Sequence, residues 1–289
     1  MRIDRPAGFY AFYLPYLTGL LYAACVVPTT PAPASLAALA ALLLPFNVFL
    51  RGAACAWNDN VDQDFDRRVE RCRNRPIARH AVSTAQAHIF TSALLAVVFL
   101  MLRLLPPDCT PHMVVTVALL FVYALMKRVT HYPQVFLGVP LAWAVFFCLA
   151  ALGLQPLGDR MASTLALFAA IVFWTVVYDT IYAHQDVADD EKAGVKSMAV
   201  RYRSSTKRLA SALGAVQVAI LALAGSWAGF GPVYFIGTVG GVAAAMAYYI
   251  YSVDLKRPES CAAWFHYQFW LVGAGFVAGF GGQYISRFM

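Results

Sequence analysis

Nine apolar runs, each near the length of about 20 residues that a helix needs to cross a bilayer, constrain this chain more than any other feature. They cover roughly 9–27, 34–57, 83–105, 111–126, 132–153, 161–182, 206–228, 231–252 and 262–285. The fourth is short enough to be tilted or partly re-entrant, and the third is interrupted near Gln86 and His88. The connectors are brief or charged, so residues 1–289 read as a single all-α, polytopic membrane domain with no soluble appendage. Composition agrees: 61% of the residues are hydrophobic and only 13% charged, far from the usage of soluble domains.

The basic residues orient the runs. Alternating the connectors across the membrane places eighteen of the 22 Lys and Arg on one face, chiefly within 67–79 and 192–208. Arg103, Arg160 and Arg287 fall on the other, and Arg51 lies inside the second run. The positive-inside bias makes the crowded face, with the N-terminus, cytoplasmic. The formal charge of +7 then reflects topology and a bound anion, and calls for no nucleic acid. The chain opens on MRIDRPAGFY just ahead of the first run, so no cleavable presequence is expected and that run serves as its own insertion signal. Six scattered cysteines without a CxxC pair read as small buried hydrophobes, and the six histidines form no zinc-type pair.

The acids are far from scattered. Of 15 Asp and Glu, ten sit in two patches, Asp59 to Glu70 and Asp179 to Glu191, each following an even-numbered run and thus on one face. If the second run stays helical past Trp57, Asn58, Asp62 and Asp66 recur every fourth residue as a stripe. Asp59, seven residues before Asp66, joins it, while Asp64 points away. In the second patch Asp179, Tyr182, Asp186 and either Asp190 or Asp189 share a face. Carboxylates stacked at this spacing repel by about 0.2–0.5 kcal/mol a pair, so a cation belongs among them. Hard oxygen donors without His or Cys suit Mg2+, which shares its sphere with a substrate phosphate. Arg51 is a third pointer, because a charge within a span is costly and by default marks a site. Against these stand plainer readings: a solvated acidic face, helix caps, and an arginine snorkelling to the interface.

RGAACAWNDNVDQDFDRRVERCRNRPIA and YDTIYAHQDVADDEKAGVKSMAVRY resemble the two aspartate motifs of the UbiA-type membrane prenyltransferases. RIDRPAGFYAFYLP and YALMKRVTHYPQVFLG extend the likeness to nearly the whole chain, toward the 4-hydroxybenzoate polyprenyltransferase branch. RNRPIARHAVS, YPQVFLGVPLAW and VDLKRPESCAAWF are similar to fungal enzymes that prenylate polyketide-derived acceptors in meroterpenoid pathways. The resemblance implies nine transmembrane helices around a central cavity, with a magnesium diphosphate at its cytoplasmic mouth. It makes Asn58, Asp62, Asp66, Asp186 and Asp190 the metal-binding set, with Asp59 beside them, and Lys127 and Arg128 a diphosphate-binding pair. Two departures stand out. Ala142-Trp143-Ala144 replaces the usual Asn-Trp-Gly, and YAL replaces YPF before the basic pair. Loss of the amide argues against 4-hydroxybenzoate as acceptor.

The expected chemistry is prenyl transfer, with Asp62, Asp66, Asp186 and Asp190 as the catalytic acids. Charge on the leaving diphosphate is stabilised by Mg2+, Lys127, Arg128 and Arg51, the allylic C–O bond ionises, and an electron-rich ring attacks. Tyr182 is the aromatic side chain named to hold the cation by its ring face. The donor is expected to be farnesyl diphosphate and the acceptor a phenolic acid or pyrone, in an endomembrane. Partners beyond the isoprenyl diphosphate, the acceptor and the lipid bilayer are not implied. A ubiquinone-pathway 4-hydroxybenzoate polyprenyltransferase is the alternative within the resemblance. A secondary transporter would carry its acids near the bilayer midplane rather than at helix ends, and a CDP-alcohol phosphotransferase would need a DG that the chain lacks.

Overall fold

The computed structural model describes residues 1–289 and is helical throughout, with no strand. Helices satisfy every backbone polar group within one segment, which is what a chain surrounded by hydrocarbon requires. In order they are α1 (Ala7–Val26), α2 (Pro33–Val61), the short α3 (Gln63–Asp66), α4 (Thr84–Met101), α5 (Cys109–Val129), α6 (Pro133–Ala142) and α7 (Ala144–Ala151). There follow α8 (Met161–Ala183), α9 (Val187–Ala193), α10 (Met198–Arg201), α11 (Thr206–Ala228), α12 (Pro232–Tyr234), α13 (Gly241–Ser252) and α14 (Pro258–Ile285). Local chemistry marks many ends. Proline occupies the first position of α2, α6, α12 and α14, where its missing N–H costs nothing. Glycines with positive φ, Gly194 and Gly229, terminate α9 and α11.

Eight segments are long and apolar enough to span a membrane, with α6 and α7 together forming the fifth and α8 and α9 the sixth. The last helix, α14, has 28 residues, more than the length needed, but Glu259, His266, Gln268 and Gln283 dilute its apolar character. The expected count of nine spans is therefore not confirmed: eight segments have spanning length and hydropathy, and α14 is a further long helix without the hydropathy. Two expected irregularities are absent. The fourth run is a regular 21-residue helix, and the third is unbroken because Gln86 belongs to its N-terminus, in a reciprocal capping box with Ser83. His88 is absorbed by a hydrogen bond with Asn60.

The helices surround a cavity. The helices also pack a dense core that includes Tyr16, Phe147, Trp174, Phe269 and Phe276, all nearly or wholly buried. Outward positions such as Ile89, Leu100 and Ile236 are apolar and exposed, as a lipid-facing surface demands. The π-helical turn Phe235–Gly240 lies so close to α14 that a Cβ on Gly237 would meet the Gly279 backbone at 2.6 Å, and only glycine permits that approach.

Candidate active site at the mouth of the helical cavity

The first stripe forms as its spacing predicts. α2 continues past Trp57 to Val61, and the backbone N–H groups of Asp62 and Asp66 donate to the carbonyls of Asn58 and Asp62 at 2.9 and 2.8 Å. Asn58, Asp62 and Asp66 thus line one side of the cavity. Asp62 is fully buried, and its Oδ2 accepts from the Asn58 amide at 3.1 Å. Opposite, α8 gives way to a single 3-10 turn at His184–Asp186 and then to α9. Asp179 and Tyr182 line the cavity from α8 itself, and Asp186 and Asp190 line it from the bend and α9. The choice left open between Asp190 and Asp189 is thereby decided: Asp189 turns to the loop, accepting from the Glu70 backbone N–H at 3.3 Å.

Bases interleave with these acids. Lys127 Nζ donates to Asp62 at 2.7 Å, Arg75 to Asp66 at 2.7 Å, and the Arg71 Nε to Asp186 at 2.9 Å. Arg75 also reaches Asp59 at 3.3 Å, and Arg2 forms an ion pair with the same carboxylate. Asp59 and Asp66, seven residues apart, therefore do share a partner. Asp59 nevertheless lies behind the cavity wall, while Arg2 and Arg75 line it. Arg71 and Arg75 are cavity-lining bases that sequence reasoning missed, having counted them only as positive-inside charge. Their signal was a spacing of one helical turn within RCRNR, directly after the first acidic stripe.

Lys127 and Arg128 part company. Lys127 faces inward, whereas Arg128 donates to Asp64 at 2.9 Å and to the Val61 carbonyl at 2.7 Å, with its guanidinium over the Phe65 ring, outside the cavity lining. Adjacent residues on a helix point about 100° apart, so of the expected pair only Lys127 lines the cavity in this structure. Arg51 is buried and lines the cavity, yet it also donates to the carbonyls of Arg2 and Arg5 at 3.0 and 2.8 Å. It thereby clamps the N-terminal segment over the mouth. Tyr182 stacks on Phe265 with centroids 4.0 Å apart, and Arg71 lies over its ring at 5.6 Å, so its face already holds one cation.

The cavity measures about 590 Å3 and grows apolar away from the mouth, where Ala11, Phe12, Leu120, Leu137 and Leu141 line it. Ala142, Trp143 and Ala144 do not. Trp143 marks the break between α6 and α7 and donates its indole N–H to His112. The argument that Ala142 removes an amide from the acceptor pocket is thus corrected: that position is packed in the core. Among the side-chain amides that do line the cavity is Gln134, whose oxygen accepts from the Met198 backbone N–H at 3.2 Å.

Outside the spans, burial pushes the Asp66 carboxyl above the ordinary aspartate value, against the pull of Arg75. Hydrogen bonds from Arg128 hold the exposed Asp64 below it. All six cysteines are free and most are buried. No three acidic, Cys or His side chains converge as a ready metal cage; the acids are instead held mainly by bases. Asn58 Oδ1 and Asp62 Oδ1, both buried, have no hydrogen-bond partner. Hard oxygens of this kind fit a small divalent cation and no soft metal.

A helical membrane cavity with acids and bases alternating at its mouth and an apolar, aromatic interior defines a site for an amphiphile with an anionic phosphate head. The chain belongs to the UbiA prenyltransferase family, whose sequence profile matches residues 12–273. It is 42% identical over 243 residues to the prenyltransferase ascA of Acremonium egyptiacum, covering 84% of this chain and 72% of that one. It is 35% identical over 280 residues to the DMOA farnesyltransferase nvfB of Aspergillus novofumigatus, covering 94% and 88%. Its fold superimposes on the apo structure of a UbiA homologue from Aeropyrum pernix with a TM-score of 0.74 at 23% identity, over the whole of both chains.

Proposed function

We propose that this chain, acting as one membrane unit over 1–289, transfers a prenyl group, farnesyl by preference, from an isoprenyl diphosphate to a phenolic or pyrone acceptor of polyketide origin in meroterpenoid biosynthesis. The observation that carries this reading is the interleaving of Asp62, Asp66 and Asp186 with Lys127, Arg75 and Arg71 at the entrance of an apolar cavity. A diphosphate with divalent cations matches that alternation, and a prenyl tail matches the interior. The Aspergillus relative is named a farnesyltransferase, which supports the donor.

Asn58, Asp62, Asp66, Asp186 and Asp190 would hold Mg2+, which when bound offsets charge developing on the leaving diphosphate. Lys127, Arg71 and Arg75 hold the diphosphate oxygens with fixed positive charge as the allylic C–O bond lengthens. Each of them now sits on a carboxylate, so substrate binding exchanges one anion for another and leaves no base buried alone. Phe265 lines the cavity beside Tyr182, whose own ring is already covered by Arg71, and the apolar wall excludes water that would capture the ionised carbon. The mouth faces the cytoplasm of an endomembrane in this reading, supported by the arginines of 67–79 that fold over it.

The test is an assay of membranes carrying the chain with Mg2+, donors of different length and a panel of phenolic acids and pyrones, read by mass spectrometry. A farnesylated phenolic acid or pyrone is the expected product. Turnover of 4-hydroxybenzoate alone would replace the acceptor assignment, and no alkylation with any donor would remove the reading.

A further inference from the structure

Five acids line the cavity: Asp62, Asp66, Asp179, Asp186 and Asp190. Three are ion-paired, to Lys127, Arg75 and Arg71. Asp190 stands at the mouth, four residues beyond Asp186. Asp179 differs from the three paired acids in having no partner, and from Asp190 in its depth. It lies on α8 seven residues before Asp186, about 10 Å deeper at the rise of an α-helix, and it enters neither an ion pair nor a side-chain hydrogen bond. The cavity is also lined by Tyr178 and Tyr182 of α8, Tyr123 and Lys127 of α5 and Phe265 of α14, and Lys127 is already engaged by Asp62.

An unpaired carboxylate at this depth is costly, and such groups mark function. It lies about 10 Å below the acid and base pairs that can hold the diphosphate. What suits it is a positively charged intermediate with a proton to lose. We propose that Asp179 is the general base that removes the ring proton after prenyl transfer. The bond from the allylic C1 to the diphosphate oxygen breaks, and a ring carbon supplies the electron pair of the new C–C bond. The Asp179 carboxylate then takes the hydrogen from that carbon, the C–H pair restores aromaticity, and the proton leaves from the neutral acid to water at the mouth. The same negative charge draws the cationic ring toward the base, which gives the geometry that general base catalysis needs.

This inference rests on the prenyl-transfer reading, and the experiment separates the two. Wild-type enzyme, Asp179→Asn and Asp179→Glu are compared for diphosphate released, for prenylated product, and for the isotope effect of an acceptor deuterated at the alkylated carbon. Asp179→Asn is expected to release diphosphate within about threefold of wild type, the allylic cation ending as prenyl alcohol. Its aromatic product is expected to fall by about 100-fold or more, the span general base catalysis contributes. A primary isotope effect absent from wild type is expected to emerge in both variants, since each slows only proton removal. Should Asp179→Asn fail to insert, the isotope effect in Asp179→Glu carries the test. Loss of diphosphate release in step with product, or no isotope effect in either variant, overturns the assignment. Failure of wild type to alkylate any acceptor removes the underlying reading instead.

Discussion

Lys127 Nζ, on α5, donates to Asp62 Oδ2 at 2.7 Å, while Asp62 Oδ1 on the same carboxylate is buried without a partner. One oxygen is neutralised by the protein and the other is a hard donor facing no protein group. This asymmetry separates stability from function. Lys127→Met strands a buried carboxylate and is expected to lower thermal stability, by less than the about 3–5 kcal/mol of a fully buried pair, because Lys127 keeps 27% of its side chain exposed. Adding Asp62→Asn to it is expected to restore most of the melting temperature while turnover stays at least about 100-fold down. Recovery of turnover in the double variant would show the pair to be structural only.

Asp66 gives a pH prediction with a definite sign. Its carboxyl is raised by burial, so the folded state holds that proton more tightly than the unfolded chain. Its contribution to stability is complete below the unfolded value of about 3.9 and is lost as pH rises through the higher folded value. In metal-free detergent solution the melting temperature of wild type relative to Asp66→Asn is expected to fall with rising pH across that window. A difference that rises with pH would mean that Arg75, not burial, governs the group.

What could be read from the sequence follows from the range of each interaction. Helix positions such as 161–183 and 206–228 were legible because spanning hydrophobicity is local, and the stripe of Asn58, Asp62 and Asp66 because helical spacing is local too. The partners of those acids were not legible. Arg71 and Arg75 reach the cavity through the irregular fold of residues 67–82, which no periodicity announces, and Arg2 arrives from the far end of the chain. Ala142 looked like a pocket residue only by likeness, and its burial in the core beside the α6–α7 break depends on tertiary packing. Arg128 was drawn inward with Lys127 although consecutive helical positions diverge.

That divergence is testable. Asp64 and Arg128 pair at the surface, with 46% and 35% of their side chains exposed, and exposed pairs contribute little. Asp64→Ala and Arg128→Ala are each expected to keep turnover within about threefold, the size of an interaction worth up to about 0.7 kcal/mol. Arg71→Ala and Arg75→Ala each remove a charge-assisted hydrogen bond of about 1.5–3 kcal/mol. Each is expected to weaken kcat/KM for the prenyl diphosphate by about ten- to 100-fold. The measurement is steady-state kinetics in the donor at saturating acceptor, and equal effects at Arg128 and Arg71 would return Arg128 to the diphosphate site.

Orientation can be checked by chemical access. Ala81 and Ser204 are exposed residues of the two basic connectors, and the positive-inside bias places both in the cytoplasm. In sealed vesicles, Ala81→Cys and Ser204→Cys are expected to react with an impermeant thiol reagent from the cytoplasmic side alone. Labelling of either from the opposite side contradicts a cytoplasmic mouth.

The clamp formed by Arg51 supplies the last prediction. Its guanidinium reaches the carbonyls of Arg2 and Arg5, and Gly8 packs so closely that a Cβ there would stand 2.8 Å from Arg51 Nη2. Gly8→Ala must therefore shift the guanidinium, and Arg51→Met removes it. Both are expected to raise amide hydrogen exchange over residues 3–8, where the Arg5 and Gly8 N–H groups bond to the clamped carbonyls. The effect is expected to be larger for Arg51→Met, and turnover to fall in the same order as Arg2 loses its position on Asp59. If Arg51→Met abolishes turnover with no change in exchange, the arginine acts on substrate directly and the clamp is incidental. A parallel rise in exchange and loss of turnover across the two variants instead makes the N-terminal segment part of the cavity wall, held there by a charge that the second span could not otherwise accommodate.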